Sequence, residues 1–121
     1  MGLCSNVFFG LNLDHYPRLD FGVGDIVLRD GDKTDRLLIV LKGRVAEVGT
    51  GFALGPGDVA KTIEFFGSSQ YSGQLRGDIS GQIALLPRAA VRDGLTAQNA
   101  MTWNLACAIA IEVLSSIKEN A

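Results

Sequence analysis

Metal chemistry and acid–base hydrolysis both need converging side chains, and this sequence has one histidine, His15, among scattered carboxylates. The two cysteines, Cys4 and Cys107, lie about a hundred positions apart with no CxxC spacing, so a structural zinc site lacks ligands. A nucleophile–His–acid triad would have to use His15 as its base. Nothing beside it, next to Tyr16 and Pro17, supports that role, and it reads as a loop or barrel-entry residue. No catalytic residue, metal or cofactor is therefore expected. Both cysteines read as free thiols of a reducing compartment, with a disulfide between them as the alternative.

What remains is a binding or interaction chemistry, and composition bounds it. The chain has 121 residues, 47% of them apolar and 20% charged, which suits one packed domain over 1–121 without metal or disulfide staples. A net charge of -2 leaves no basic footprint for phosphates, so no nucleic-acid partner is expected. The start, Met1-Gly2-Leu3-Cys4-Ser5-Asn6, has no basic stretch followed by an apolar one, and Asn6 breaks the myristoylation pattern. The most apolar stretch, Leu105 to Leu114, is about half of what a bilayer span requires. No membrane partner and a cytoplasmic location are expected.

The elements that must position any site are mostly strands. Most of the fifteen glycines fall between Gly22 and Gly81 and punctuate short apolar runs, an all-β signature over about residues 16–86. Predicted strands are Arg18–Phe21, Asp25–Arg29, Leu37–Leu41, Arg44–Val48, Phe52–Leu54, Tyr71–Gly77 and Gln82–Leu86. The continuous run Leu37-Leu38-Ile39-Val40-Leu41 suits a strand covered on both faces, as in a flattened barrel or roll. Gly49-Thr50-Gly51 supplies residues that accept positive φ, so its flanks pair as a tight hairpin.

Past Pro87 the pattern turns helical, giving a tail over 87–121. A short helix is predicted from Arg88 to Gly94, with proline at its first turn and glycine at its end. A long one follows from about Gln98 to Lys118, with Thr96 as its N-cap. In it Trp103, Cys107, Ala110, Leu114 and Ile117 recur at spacings of four, three, four and three, a coiled-coil-like seam. A second stripe runs through Ala106, Ile109 and Val113. One face suffices for packing on the strands, so the seam is expected to pair two copies as a homodimer, the alternative being a helix buried within its own monomer.

From Tyr16 to Ser116 the order of elements resembles the cyclic-nucleotide-binding domain of catabolite-activator-type regulators. The resemblance rests on Gly24-Asp25-Ile26-Val27, Asp30-Gly31-Asp32, the run from Asp35 to Val45 and Leu54-Gly55-Pro56-Gly57-Asp58, in that order and spacing. It implies a mainly β fold with C-terminal helices: a double-stranded β-helix (jelly roll), a short helix, and a long terminal dimerisation helix.

The resemblance also implies a phosphate-binding cassette after the Pro-Gly-Asp turn, opening Gly-Glu-Leu, with an arginine ten residues after the glutamate and before Ser/Thr-Ala. Here the opening is Ala60-Lys61-Thr62, and the later position is Tyr71, followed by Ser72-Gly73. Spacing is intact while glutamate has become lysine and arginine has become tyrosine. Lysine only donates and neutral tyrosine has no charge, so the ribose and phosphate contacts are lost. Ser115-Ser116 falls where helix hydroxyls would meet a base across the dimer. The blander readings are that Lys61 is a solvated charge at a turn, Tyr71 fills the emptied pocket, Thr62 is a local cap and the serines are surface hydroxyls.

The expected function is a non-enzymatic regulatory module that binds a protein or a small ligand, on a cyclic-nucleotide-binding-like scaffold that has lost cAMP and cGMP. A sensor of nucleotide or another anion through Lys61 is the alternative, and a cupin-like enzyme is more distant, since its metal site needs two or three histidines. The sequence stops soon after the pairing helix, so no helix-turn-helix DNA-binding domain is expected and regulation would run through a partner.

Overall fold

The computed structural model describes residues 7–8 and 11–120, with side chains from 11 to 117; Cys4 lies outside the described residues. A two-stranded ribbon of β1 (Val7–Phe8) and β2 (Leu11–Asn12) precedes a 3-10 turn at Leu13–His15, where His15 is exposed. The main sheet is antiparallel, built from β3 (Arg18–Phe21), β4 (Ile26–Leu28), β5 (Arg36–Glu47), β6 (Ala53–Leu54) and β7 (Leu75–Pro87). Three helices accompany it: α1 (Thr62–Gly67), α2 (Arg88–Gln98) and α3 (Thr102–Asn120).

The strand β7 organises the sheet. One of its edges pairs β4 near Leu75 and Arg76 and β3 from Gly81 to Ala84, while β5 lies along the other from end to end. The apolar run at Leu37–Val40 is buried on both faces, as its lack of alternation predicts. The hairpin around Gly49-Thr50-Gly51 joins β5 to β6, with Gly49 at φ 98° and Gly51 at φ 74°.

Two predicted strand breaks are bulges. Leu37–Leu41 and Arg44–Val48 form one strand, and Gln82–Leu86 continues a strand that begins at Leu75. A glycine reads in sequence as a turn, but Gly43 and Gly81 mark the place where β5 and β7 press together. A Cβ on Gly81 would lie 1.9 Å from the Lys42 carbonyl oxygen, and one on Gly43 2.4 Å from that of Ser80. Register shifts between Val40 and Val45 record the resulting bend. Tyr71 to Gln74, predicted as strand, lie before β7.

The helices also depart from expectation. The first runs past Gly94 to Gln98, because Gly94 is an interior residue at a close approach: a Cβ there would sit 3.2 Å from Leu11. Thr96 is therefore inside α2 and caps nothing, and the break falls at Asn99, whose side chain accepts from the Met101 N–H at 2.9 Å. The six-residue α1 was missed; with Ile63, Phe65 and Phe66 it is too short and too poor in helix formers to show a period. Its N-cap is Lys61, which gives no side-chain capping bond, so Thr62 is the first helical residue and not a cap.

A single arginine ties the helices to the sheet. Arg88 Nη1 donates to the carbonyls of Phe65 at 2.6 Å and Thr34 at 3.0 Å. Its guanidinium lies 4.9 Å from the centre of the Phe65 ring and 5.0 Å from that of Trp103. Charge-assisted bonds contribute roughly 1.5–3 kcal/mol each, so Arg88→Met, which keeps the stem, should lower the unfolding free energy by about 2–3 kcal/mol in urea melts. Arg88→Lys should recover only part of it, since an ammonium lacks the stacking plane.

Candidate functional site

The segment 57–73 leaves β5 and returns to β7 around α1. Its entry is fixed by backbone bonds: Gly57 and Val40 pair at 2.8 Å, Val40 and Asp58 at 3.0 Å, and the Ala60 N–H donates to Leu38 at 2.9 Å. Ala60 is thereby buried and offers no ligand surface. Its exit is fixed against the turn before β5, where Tyr71 donates to Asp32 at 2.7 Å and accepts from Gly31 at 2.8 Å.

Between these anchors Lys61 adopts φ 49°, the sole non-glycine residue of positive φ among the described residues. That left-handed turn sends its ammonium onto the Glu47 carboxylate, with the two side chains only 16% and 21% exposed. The expectation of a solvated charge at a turn is corrected: Lys61 is an internal ion-pair partner. Its ammonium, together with the Thr50 hydroxyl, holds the Glu47 carboxyl below its usual value near 4.5, against the opposing effect of burial. The pair lies over Gly73, where a Cβ would come within 2.9 Å of Glu47 Oε2 and 3.4 Å of Lys61 Nζ.

Tyr71 is 2% exposed, and its hydroxyl donates to the Arg36 carbonyl at 2.6 Å. Burial pushes that hydroxyl far above the ordinary phenol range, a shift that the nearby Arg88 charge opposes, so it stays protonated. Tyr71 is thus a core residue, as the space-filling reading expects.

A cleft of about 610 Å³ lies between this segment and α3. It gathers Tyr71, Ser72 and Ser115 of the predicted site, facing Leu114 and Ile117. Lys61, Thr62, Gly73 and Ser116 do not line it. Sequence reasoning missed Glu47, Glu64 and Asp30, which bind Lys61, Ser72 and Gly73 respectively. The first and last come from elements remote in sequence, and no local spacing marks them. Among the described residues no three His, Cys, Asp or Glu side chains converge as a metal site.

The predicted dimer seam is mostly an internal contact. Trp103 packs edge-on against Phe66, ring centres 5.5 Å apart. Ala110 is 1% exposed, Cys107 is half-buried with no disulfide partner among the described residues, and a Cβ on Gly67 would meet Ala110 and Leu114 at 2.8–2.9 Å. The seam's smaller residues allow α3 to lie close on α1, leaving Ile117 alone of the five well exposed.

No model of a protein family matches the sequence, and no curated protein matches it. Solved structures do. A transcriptional regulator from Thermotoga maritima superimposes with a TM-score of 0.64 at 17% identity, covering 86% of this chain and 89% of that one. The catabolite activator protein of Thermus thermophilus gives 0.62 at 19%, covering 88% of this chain and 54% of its own. The cAMP-bound form of the EAL enzyme Bd1971 gives 0.62 at 17%, with 84% of this chain and 30% of that one covered.

The fold is that of a cyclic-nucleotide-binding-like domain. This chain spans about half of the Thermus regulator. No single described helix is long and apolar enough to cross a membrane.

The ion pair gives a pH-dependent prediction. A carboxyl whose folded pKa is depressed adds stability that is present above its unfolded value and lost as pH falls through the folded one. Lys61→Met should therefore raise the Glu47 midpoint, read by carbon NMR, to its ordinary value or above. The variant's stability deficit should be largest near neutrality and shrink as pH drops below about 4.

Proposed function

We propose that this cyclic-nucleotide-binding-like domain is a non-enzymatic regulatory module that works without cAMP or cGMP. The observation that carries the reading is the Lys61–Glu47 pair beside a buried Tyr71. The two positions to which the resemblance assigns ribose and phosphate contacts are spent on internal bonds. An anion sensor through Lys61 would first have to break that pair, and a cupin-like enzyme would have to work with the exposed His15 alone.

In this reading the sheet is a jelly roll and α3 pairs two copies, though not through the seam. Leu105, Ile109, Val113 and Ile117 recur every fourth residue on α3, in line with Met101 just before it, and the five are 38–67% exposed. Between Thr102 and Ile117 the helix carries one charged residue, Glu112. An exposed ridge so long and so poor in charge supports a second copy as its occupant, and ridges of this spacing interdigitate at a crossing angle near -50°.

Two outcomes are expected. Calorimetric titration of the wild type with cAMP or cGMP should give no heat, because losing two charge-assisted contacts costs about two decades of affinity or more. Glu47→Ala with Lys61→Glu and Tyr71→Arg should recover some binding; micromolar binding by the wild type would refute the reading. In sedimentation the wild type should run as a dimer and Ile109→Asp as a monomer, since a carboxylate in an apolar interface is costly to desolvate. Leu114→Asp should instead loosen α3 from α1 and lower the melting temperature.

A further inference from the structure

Arg88 uses only part of its guanidinium to hold the helices. Nη1 donates to the Phe65 and Thr34 carbonyls, which leaves the N–H groups of Nε and Nη2. Among the described residues no acceptor meets these groups, yet no buried side-chain nitrogen lacks a partner, so they keep contact with solvent. Arg88 lines a cleft of about 450 Å³ together with Lys33, Asp35, Phe66 and Ser69. That cleft shares Gly67 and Ser68 with the one beneath α3, but Lys61, Glu64, Tyr71 and Ser72 do not line it. It stands apart from the positions to which the resemblance assigns nucleotide contacts.

Two features set what fits there. The first is charge: Lys33 and Asp35 are exposed, and among the described residues neither they nor Arg88 form an ion pair. Two cations against one carboxylate leave a single positive charge, which suits a monoanion and opposes a dianion. The free edge of Arg88 is planar and already fixed by two carbonyls and two rings, so it offers the parallel donors that a carboxylate accepts. The second feature is the half-buried Phe66, an apolar wall in a cleft of small-ligand size.

We propose that this cleft binds a small amphiphilic carboxylate, with its carboxyl group on the free edge of Arg88, Lys33 as the second cation and its apolar body against Phe66. The bound charge then acts on the turn before β5, on α1 and on α3 at once, through the one group that touches Thr34, Phe65 and Trp103. The site is independent of the nucleotide reading, and either can fail alone.

Trp103 is the sole tryptophan, with the Arg88 guanidinium 5.0 Å from its ring centre, so its emission reports the site. Phenylacetate should shift that emission saturably in the full chain, and the Arg88 Nε–H resonance should move with the same midpoint. Phenylacetamide keeps the ring without the charge, and acetate keeps the charge without the ring. Each should need about tenfold more for the same effect, as should inorganic phosphate at pH 8. Lys33→Gln, at an exposed position, should weaken phenylacetate about threefold, the scale of an exposed charge pair. Arg88→Lys should weaken it further by removing the fork; should that variant fail to fold, Lys33→Gln carries the test alone. An absent or unsaturable shift in the wild type, phenylacetamide or phosphate acting as strongly, an unmoved Nε–H resonance, or wild-type binding by Lys33→Gln would each overturn the proposal.

Discussion

The guanidinium of Arg88 is the contact on which the helical side of the molecule depends. It sits where β7 ends, α1 passes and α3 crosses. Its own backbone N–H donates to Asp35 at 2.8 Å. Among the described residues no carboxylate pairs with it; the charge is met by two carbonyl dipoles and two ring faces. A planar, weakly hydrated cation tolerates that setting, and a lysine ammonium would not stack. Through this group the roll end at Thr34, the cassette helix at Phe65 and the terminal helix at Trp103 share one anchor, and the cleft between α1 and α3 has its shape because of it.

The same economy governs the cassette. Three donors of the segment 57–73 have acceptors from the chain itself: Lys61 has Glu47, Ser72 has Glu64 and Gly73 has Asp30. These pairs replace solvation that the segment loses on packing, so the polar groups stay satisfied at modest cost.

The sequence announced the sheet far better than the site. The doubly covered run at Leu37–Val40, the Gly49–Gly51 hairpin and the change to helix after Pro87 are local patterns, and local patterns survive folding. Gly43, Gly81 and Gly94 misled because a glycine demanded by a neighbouring backbone looks the same in sequence as one demanded by a turn. It is the resemblance, with its spacing intact, that sets Lys61 where the cassette has glutamate and Tyr71 where it has arginine. Their partners were not legible: Glu47 is fourteen residues from Lys61 and Arg36 thirty-five from Tyr71, joined only by tertiary structure. The helix seam was legible only as an apolar face, since periodicity does not report which neighbour covers it, and within the chain α1 covers part of it.

The central place of β7 has a consequence for how the chain is made. The strands β3, β4 and β5 all leave the ribosome before the one strand that pairs with each of them. Until Leu75–Pro87 emerges, the apolar Leu37–Val40 run has no cover on that edge and its backbone groups invite any extended stranger. Pairings such as Arg18 with Ala84 span more than half the chain, so closure is a late, long-range event and slow by the standards of local folds. The nascent protein is thus most vulnerable to aggregation just before Leu75–Pro87 is synthesised, and the short edge strand β6 offers little protection in the interval.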